Sequence, residues 1–109
     1  MRASERQEYT VMKIVAVTAC PTGIAHTYMA AEQLEKVAKT LGHHIKVETQ
    51  GAMGIENELK PSEIKDADFV IFAVDIAVEQ EERFAGKKVV KVGVQEALKN
   101  PREVFAKFK

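Results

Sequence analysis

Apolar and polar residues change their period several times along this chain, and each change marks an element. From Lys13 to Thr18 the run is continuous and β-branched, as in a strand covered on both faces. Ile24, Tyr28, Ala31, Leu34, Ala38 and Leu41 then recur at spacings of three and four, which predicts an amphipathic helix packing through those side chains. Gly42 stops that helix at a C′ position. A second strand is expected from Ile45 to Gln50, running into Gly51-Ala52-Met53-Gly54, a flexible turn rather than a core element. Pro61 suits the first turn of a short helix that ends near Asp66. Phe69 to Val74 reads as a third buried strand and Val89 to Val92 as a fourth, with a short charged helical stretch, Val78 to Phe84, between them. Asn100-Pro101 caps a last helix whose packing face is Val104, Phe105 and Phe108, and Lys107 and Lys109 favour its C-terminal end. Residues 1–11 are polar without a sustained period and read as an extension or disordered tail, leaving 12–109 as the domain.

Strands that alternate with helices predict an α/β fold: an open four-stranded parallel sheet in the order 2-1-3-4, with helices on both faces in a Rossmann-like three-layer arrangement. Ligands in such sheets bind outside the carboxyl ends of the strands, where the first strand meets its neighbours. Cys20 falls at that place, and the loops at Gly51–Gly54 and Asp75–Ala77 end on the same rim.

Composition narrows the partners. With 109 residues, 46% of them hydrophobic and 29% charged, one globular domain is expected. Sixteen basic residues balance sixteen acidic ones, so no overall basic field draws in nucleic acid or an anionic membrane surface. A single cysteine cannot form an internal disulfide, and no apolar stretch has the length of a membrane span. A cytoplasmic protein without direct membrane insertion is the expectation.

That cysteine stands where a strand hands over to a helix N-terminus, beside backbone N–H groups whose partial charge favours both a thiolate and a phosphoryl anion. Gly23 lets the backbone approach an anion, Thr22 and Thr27 offer hydroxyls, and His26 offers an imidazole donor. Pro21, Ile24 and Ala25 complete the loop, whose N–H groups would cradle a phosphoryl group without a metal. Alone, a cysteine at a strand end reads as a buried space-filler. The glycine, threonines and histidine that follow turn the reading toward an accessible nucleophile.

The stretch Cys20-Pro21-Thr22-Gly23-Ile24-Ala25-His26-Thr27 resembles the active-site signature of the fructose-specific enzyme IIB domains of the bacterial phosphoenolpyruvate-dependent sugar phosphotransferase system. Glu48-Thr49-Gln50-Gly51 and Arg83-Phe84-Ala85-Gly86-Lys87 match the same family's pattern, and the similarity runs from Lys13 to about the end of the chain. The resemblance implies a phosphoryl carrier. The cysteine matching Cys20 would accept a phosphoryl group from a phosphohistidine of enzyme IIA and pass it to a sugar bound by the membrane enzyme IIC, with no cofactor. The extension at the N-terminus departs from the pattern, and without an attached IIA or IIC sequence the chain works with separate partners or is a piece of a longer one.

Two other classes compete. A low-molecular-weight phosphatase or arsenate-reductase-like enzyme uses a similar strand, loop and helix with Cys-x5-Arg followed by Ser or Thr; here His26 replaces the guanidinium fork and removes its bidentate clamp. Asp75 keeps that reading open as a leaving-group acid on the rim, against a plainer role as a turn or cap residue. A regulatory module could instead bind an anion without covalent chemistry. Arg83 and the rim residues Gly51 and Met53 are candidate partner contacts, although an exposed helix-end arginine explains Arg83 equally well. His43 and His44 read as solvent-facing, Met29 as packing, and Glu79, Glu81 and Glu82 as a solvated acidic face; no metal-site spacing is present.

Overall fold

The apolar run at the head of the chain forms the central strand β1, Lys13–Ala19, buried on both sides from Ile14 onward. This computed structural model describes residues 11–20, 24–51 and 54–107, without the side chain of Ile24. The chain continues through α1 (Ile24–Thr40), β2 (His44–Gly51), β3 (Gly54–Glu56), α2 (Pro61–Asp66) and β4 (Phe69–Val74). A 3-10 turn (Glu81–Phe84), β5 (Val89–Val92), α3 (Val94–Lys99) and α4 (Pro101–Ala106) follow.

The sheet order is β3-β2-β1-β4-β5. Its four long-predicted strands are parallel and lie in the expected order, with β1 between β2 and β4 and β5 outside β4. The sheet nevertheless has five strands, not four. Gly54, expected in a flexible turn, instead begins a short strand, Gly54–Glu56, that pairs antiparallel with the end of β2, Thr49 opposite Glu56 and Gly51 opposite Gly54. Three residues carry too little pattern to announce a strand; the open edge of β2 recruits them by offering unpaired N–H and C=O groups.

Side-chain alternation divides the core into two layers. One holds Ile14, Ala16, Leu34, Val37, Ile71, Ala73, Val94 and Phe105 under α1, α3 and α4. Alanines at 16, 30, 31, 38, 73 and 97 in this layer let the helices approach the sheet closely, and Leu34, with no exposed surface, contributes roughly 1.5–3 kcal/mol by burial. The opposite layer holds Val15, Val17, Ile64, Val70, Phe72 and Phe84 under α2 and the 3-10 turn. Phe84 meets Phe72 edge to face at 5.1 Å.

Helix α1 buries Ala31, Leu34 and Ala38 as expected, but Tyr28 and Leu41 are 40% and 39% exposed. Tyr28 lies about a third of a turn round from Leu34, on the flank of the apolar stripe, and Leu41 follows the last helical residue. Gly42, at φ +84, makes the turn that a residue with a Cβ would resist. His43, expected in solvent, is half-buried, and its Nδ1 accepts the N–H of Met12 at 3.1 Å. His44 is exposed.

Helix α2 begins at Pro61, with Glu63 reaching back to accept the Lys60 N–H at 2.7 Å. At the other end Lys87 Nζ donates to the Ala67 carbonyl at 2.6 Å and the Lys65 carbonyl at 3.1 Å, capping groups that the helix leaves open. A helix absent from the sequence expectation, α3, precedes α4. Val94 and Ala97 bury one side of it, yet six residues after a glycine N-cap are too few for a periodic signal. Val104 and Phe105 pack from α4 as expected, whereas Phe108, Lys109 and the tail 1–10 lie outside the described residues.

Candidate active site

β1 delivers Cys20 to the carboxyl rim of the sheet. Its last residue, Ala19, stands between Gln50 of β2 and Val74 of β4, and its carbonyl accepts the N–H of Asp75 at 3.0 Å. The chain leaves β1 for α1 at this point, while β4 belongs to the other half of the fold. Cys20 thus lies at the place where α/β sheets open a crevice.

The residue is more enclosed than expected. Cys20 retains 8% of its surface and belongs to the layer under α1, because it continues the row of Ile14 and Ala16 toward that helix. Pro21, Thr22 and Gly23 lie outside the described residues, as does the side chain of Ile24. Ala25 and His26 are exposed on the first turn of α1.

Thr27, by contrast, is 2% exposed. Its carbonyl accepts the Thr18 hydroxyl at 3.1 Å, which ties the first turn of α1 to β1 immediately before the cysteine. Its own Oγ1 is the one buried side-chain polar atom among the described residues that has no hydrogen-bond partner. Such an atom costs about 1–3 kcal/mol unless something fills it. A hydroxyl at a helix N-terminus next to the candidate nucleophile is suited to an anionic oxygen.

A second cluster, joining Glu48 and Gln50 of β2 to Arg83, lies on the opposite layer. Glu48 is fully buried and is clasped by Arg83: Nη1 donates to Oε1 at 3.0 Å and Nη2 to Oε2 at 2.9 Å. The Leu59 N–H donates to Oε1 at 2.9 Å and the Gln50 amide to Oε2 at 2.7 Å. Burial pushes the Glu48 carboxyl up, but these donors outweigh it and hold the group below the ordinary carboxylate range. Hydrogen bonding to Glu48 likewise raises Arg83. Arg83 is therefore not an exposed helix-end arginine; its side chain keeps 16% of its surface. A glutamate and a glutamine within a strand otherwise expected to be buried are the signal that could have revealed the cluster.

The remaining rim candidates separate. Asp75 is exposed, and its Oδ1 accepts the Val94 N–H of α3 at 3.3 Å. Gly51 is exposed at the end of β2, and Met53 lies outside the described residues. Tyr28 donates its hydroxyl to Glu56 of β3, joining α1 to the sheet's added edge; that hydrogen bond, chiefly, raises the phenol's pKa. Met29 is half-exposed rather than packed. Among the described residues no group of three histidine, cysteine, aspartate or glutamate side chains could hold a metal ion. No described helix is long and apolar enough to cross a membrane.

A cysteine directly after the central strand and before a helix N-terminus, in a small parallel α/β sheet, is an arrangement suited to holding an anion. Comparison makes it specific. Residues 15–107 match the family model for the lactose/cellobiose-specific IIB subunit of the phosphotransferase system. The chain is 53% identical over 96 residues to the "PTS system fructose-like EIIB component 2" of Escherichia coli, covering 88% of this chain and 91% of that protein. It is 54% identical over 95 residues to the "PTS system fructose-specific EIIABC component" of Bacillus subtilis, covering 87% of this chain but 15% of that longer protein. The crystal structure of a domain from a fructose-specific IIABC component of Borrelia burgdorferi superposes with a TM-score of 0.85 at 51% identity, covering 90% of this chain and 93% of the domain. The chain belongs to the IIB family of the sugar phosphotransferase system, a family of phosphoryl-transfer domains, and its high-identity relatives are the fructose type.

Proposed function

We propose that this protein is a cytoplasmic phosphoryl carrier in which Cys20 is the acceptor. The Cys20 thiolate attacks the phosphorus of a phosphohistidine on a IIA component; the S–P bond forms as the P–N bond breaks, and the imidazole departs. In the second half, a hydroxyl of a sugar held by the membrane IIC component attacks the same phosphorus. The S–P bond then breaks, the hydroxyl proton passes to solvent, and the thiolate is restored. Fructose is the sugar favoured by the relatives' names, and the fusion of related B domains with A and C components in longer chains supports these partner classes.

The observation that carries the reading is the position of Cys20 at the carboxyl end of the central strand, directly before the α1 N-terminus, in a chain of this family. Pro21 to Thr27 would supply the cradle, Thr27 through its unpartnered hydroxyl and His26 from the exposed first turn. Burial of Cys20 suits a carrier, because a phosphoryl group on sulfur must reach its acceptor before water reaches it. The histidine at the sixth position after the cysteine removes the guanidinium fork that a phosphatase would use on the same loop.

Intact-mass measurement tests the proposal. Incubation with phosphoenolpyruvate, the general phosphotransferase proteins and a matching IIA should add one phosphoryl group, labile as expected of a thiophosphate and absent from Cys20→Ser. Steady hydrolysis of an aryl phosphate by the unmodified protein, without a stable adduct, would overturn it.

A further inference from the structure

The rim segment Asp75–Gln80 is held beside the candidate nucleophile by hydrogen bonds at both of its ends. At its first residue, the Asp75 N–H is bound to the carbonyl of Ala19, the residue before Cys20, while Asp75 Oδ1 accepts from Val94. At its far end, the side chain of Gln50 substitutes for a strand. Its Oε1 accepts the Glu79 N–H at 2.8 Å and its Nε2 donates to the Glu79 carbonyl at 3.1 Å, so one amide binds both main-chain groups of one residue. Glu48 fixes the orientation of that amide, since its Oε2 can face only the NH2 end. Arg83 completes the clamp through Nε to the Gln80 carbonyl at 2.9 Å and Nη2 to the Glu79 carbonyl at 3.3 Å. Gln80 itself has φ +59, a left-handed conformation costly for a residue with a Cβ and maintained here by its surroundings.

Between these two fixed ends Ile76 and Ala77 are exposed and Val78 inserts into the layer under α2. We propose that Gln50, oriented by Glu48 and assisted by Arg83, is a positioning residue that holds this segment as a rigid lip next to Cys20 for docking of the phosphorylated protein donor. The inference rests on the carrier reading above. Its physical basis is that Gln50 pairs with Ala19 in the β1–β2 register, so strand and lip are referred to the same point beside the sulfur. Loosening the lip leaves the sulfur in place and degrades the surface a protein partner meets.

Gln50→Met tests this, since methionine preserves the buried volume and removes both hydrogen bonds to Glu79; it also removes the Nε2 donor to Glu48, whose carboxylate keeps Arg83 and the Leu59 N–H. Amide exchange at Glu79 should accelerate about tenfold or more, the fold remaining intact by circular dichroism, because exposed Glu79 can turn its main chain to water. In steady-state transfer from a phosphorylated IIA, KM for that donor should rise about tenfold with kcat little changed. The rate of Cys20 alkylation by iodoacetamide should be unaltered. Should Gln50→Met fail to fold, Arg83→Lys decides: it keeps a positive charge near Glu48, loses the Nε–H to Gln80, and should raise KM in the same direction by a smaller factor. Unmodified protein that takes up no phosphoryl group would overturn the carrier reading itself. If the unmodified protein is phosphorylated normally and the variants match it in KM and in Glu79 exchange, the positioning role is overturned while the carrier reading stands. A parallel fall in kcat and alkylation rate would also overturn it, by showing an effect on the sulfur.

Discussion

Under α1, α3 and α4 the sheet is closed by alanines, valines, Leu34 and Phe105, while under α2 the layer of Val17, Phe72 and Phe84 has beside it the buried Glu48 and its part-buried partner Arg83. The first layer is held by area and close approach, and its members are constrained mainly by volume. The second contains a charge that would be costly without each of its donors, so it constrains direction as well as volume. The family-like segment from Arg83 to Lys87 accordingly has structural uses along its length: Arg83 on Glu48, Phe84 on Phe72, Gly86 at φ +83 in a turn, and Lys87 on the end of α2. The catalytic candidate lies in the apolar layer, whereas the polar layer holds the rim around it.

The largest expected effect is functional and local. Cys20→Ser should abolish phosphoryl uptake, seen as loss of the mass adduct, with a melting temperature close to that of the unmodified protein. Arg83→Met should then separate the layers, because it strands the Glu48 charge in the interior. A destabilisation of about 3–5 kcal/mol at neutral pH is expected from urea unfolding, much of it recovered in the Glu48→Gln, Arg83→Met double variant. Leu34→Ala, in the apolar layer, should cost about 2–5 kcal/mol through a cavity. No second substitution of the Glu48→Gln kind should rescue it.

Acidification should narrow the gap between Arg83→Met and the unmodified protein. Glu48 is held below its unfolded value, so its contribution is present above the unfolded carboxylate range and is lost as pH falls through the folded one. Urea midpoints followed downward from neutral pH should decline less in Arg83→Met than in the unmodified protein. His43 adds a smaller effect of the same sign: burial lowers its pKa, so stability present above the unfolded value of 6.5 declines as pH falls below it, when protonation competes with the Met12 N–H. The smallest cost to the fold is that of Thr27→Val. Removing an unpartnered buried hydroxyl should leave stability unchanged or raise it by up to about 1–3 kcal/mol, yet reduce phosphoryl transfer on the order of tenfold if that hydroxyl serves the cradle.

Local pattern was enough for β1, α1, β4 and the parallel order of the long strands, because each carries a sustained period and strand alternation with helices leaves few topologies. It was enough, too, to single out Cys20 and its loop, since a thiol before a helix N-terminus is a local arrangement. Tertiary structure alone decided β3, which exists by pairing with β2, and α3, which exists by docking Val94 and Ala97. It also decided how enclosed Cys20 is and where Arg83 goes: Glu48 and Arg83 are 35 residues apart, and nothing in the neighbourhood of either names the other. A charged residue reads as exposed from its own chemistry, and becomes an interior residue only when the fold brings the opposite charge to it.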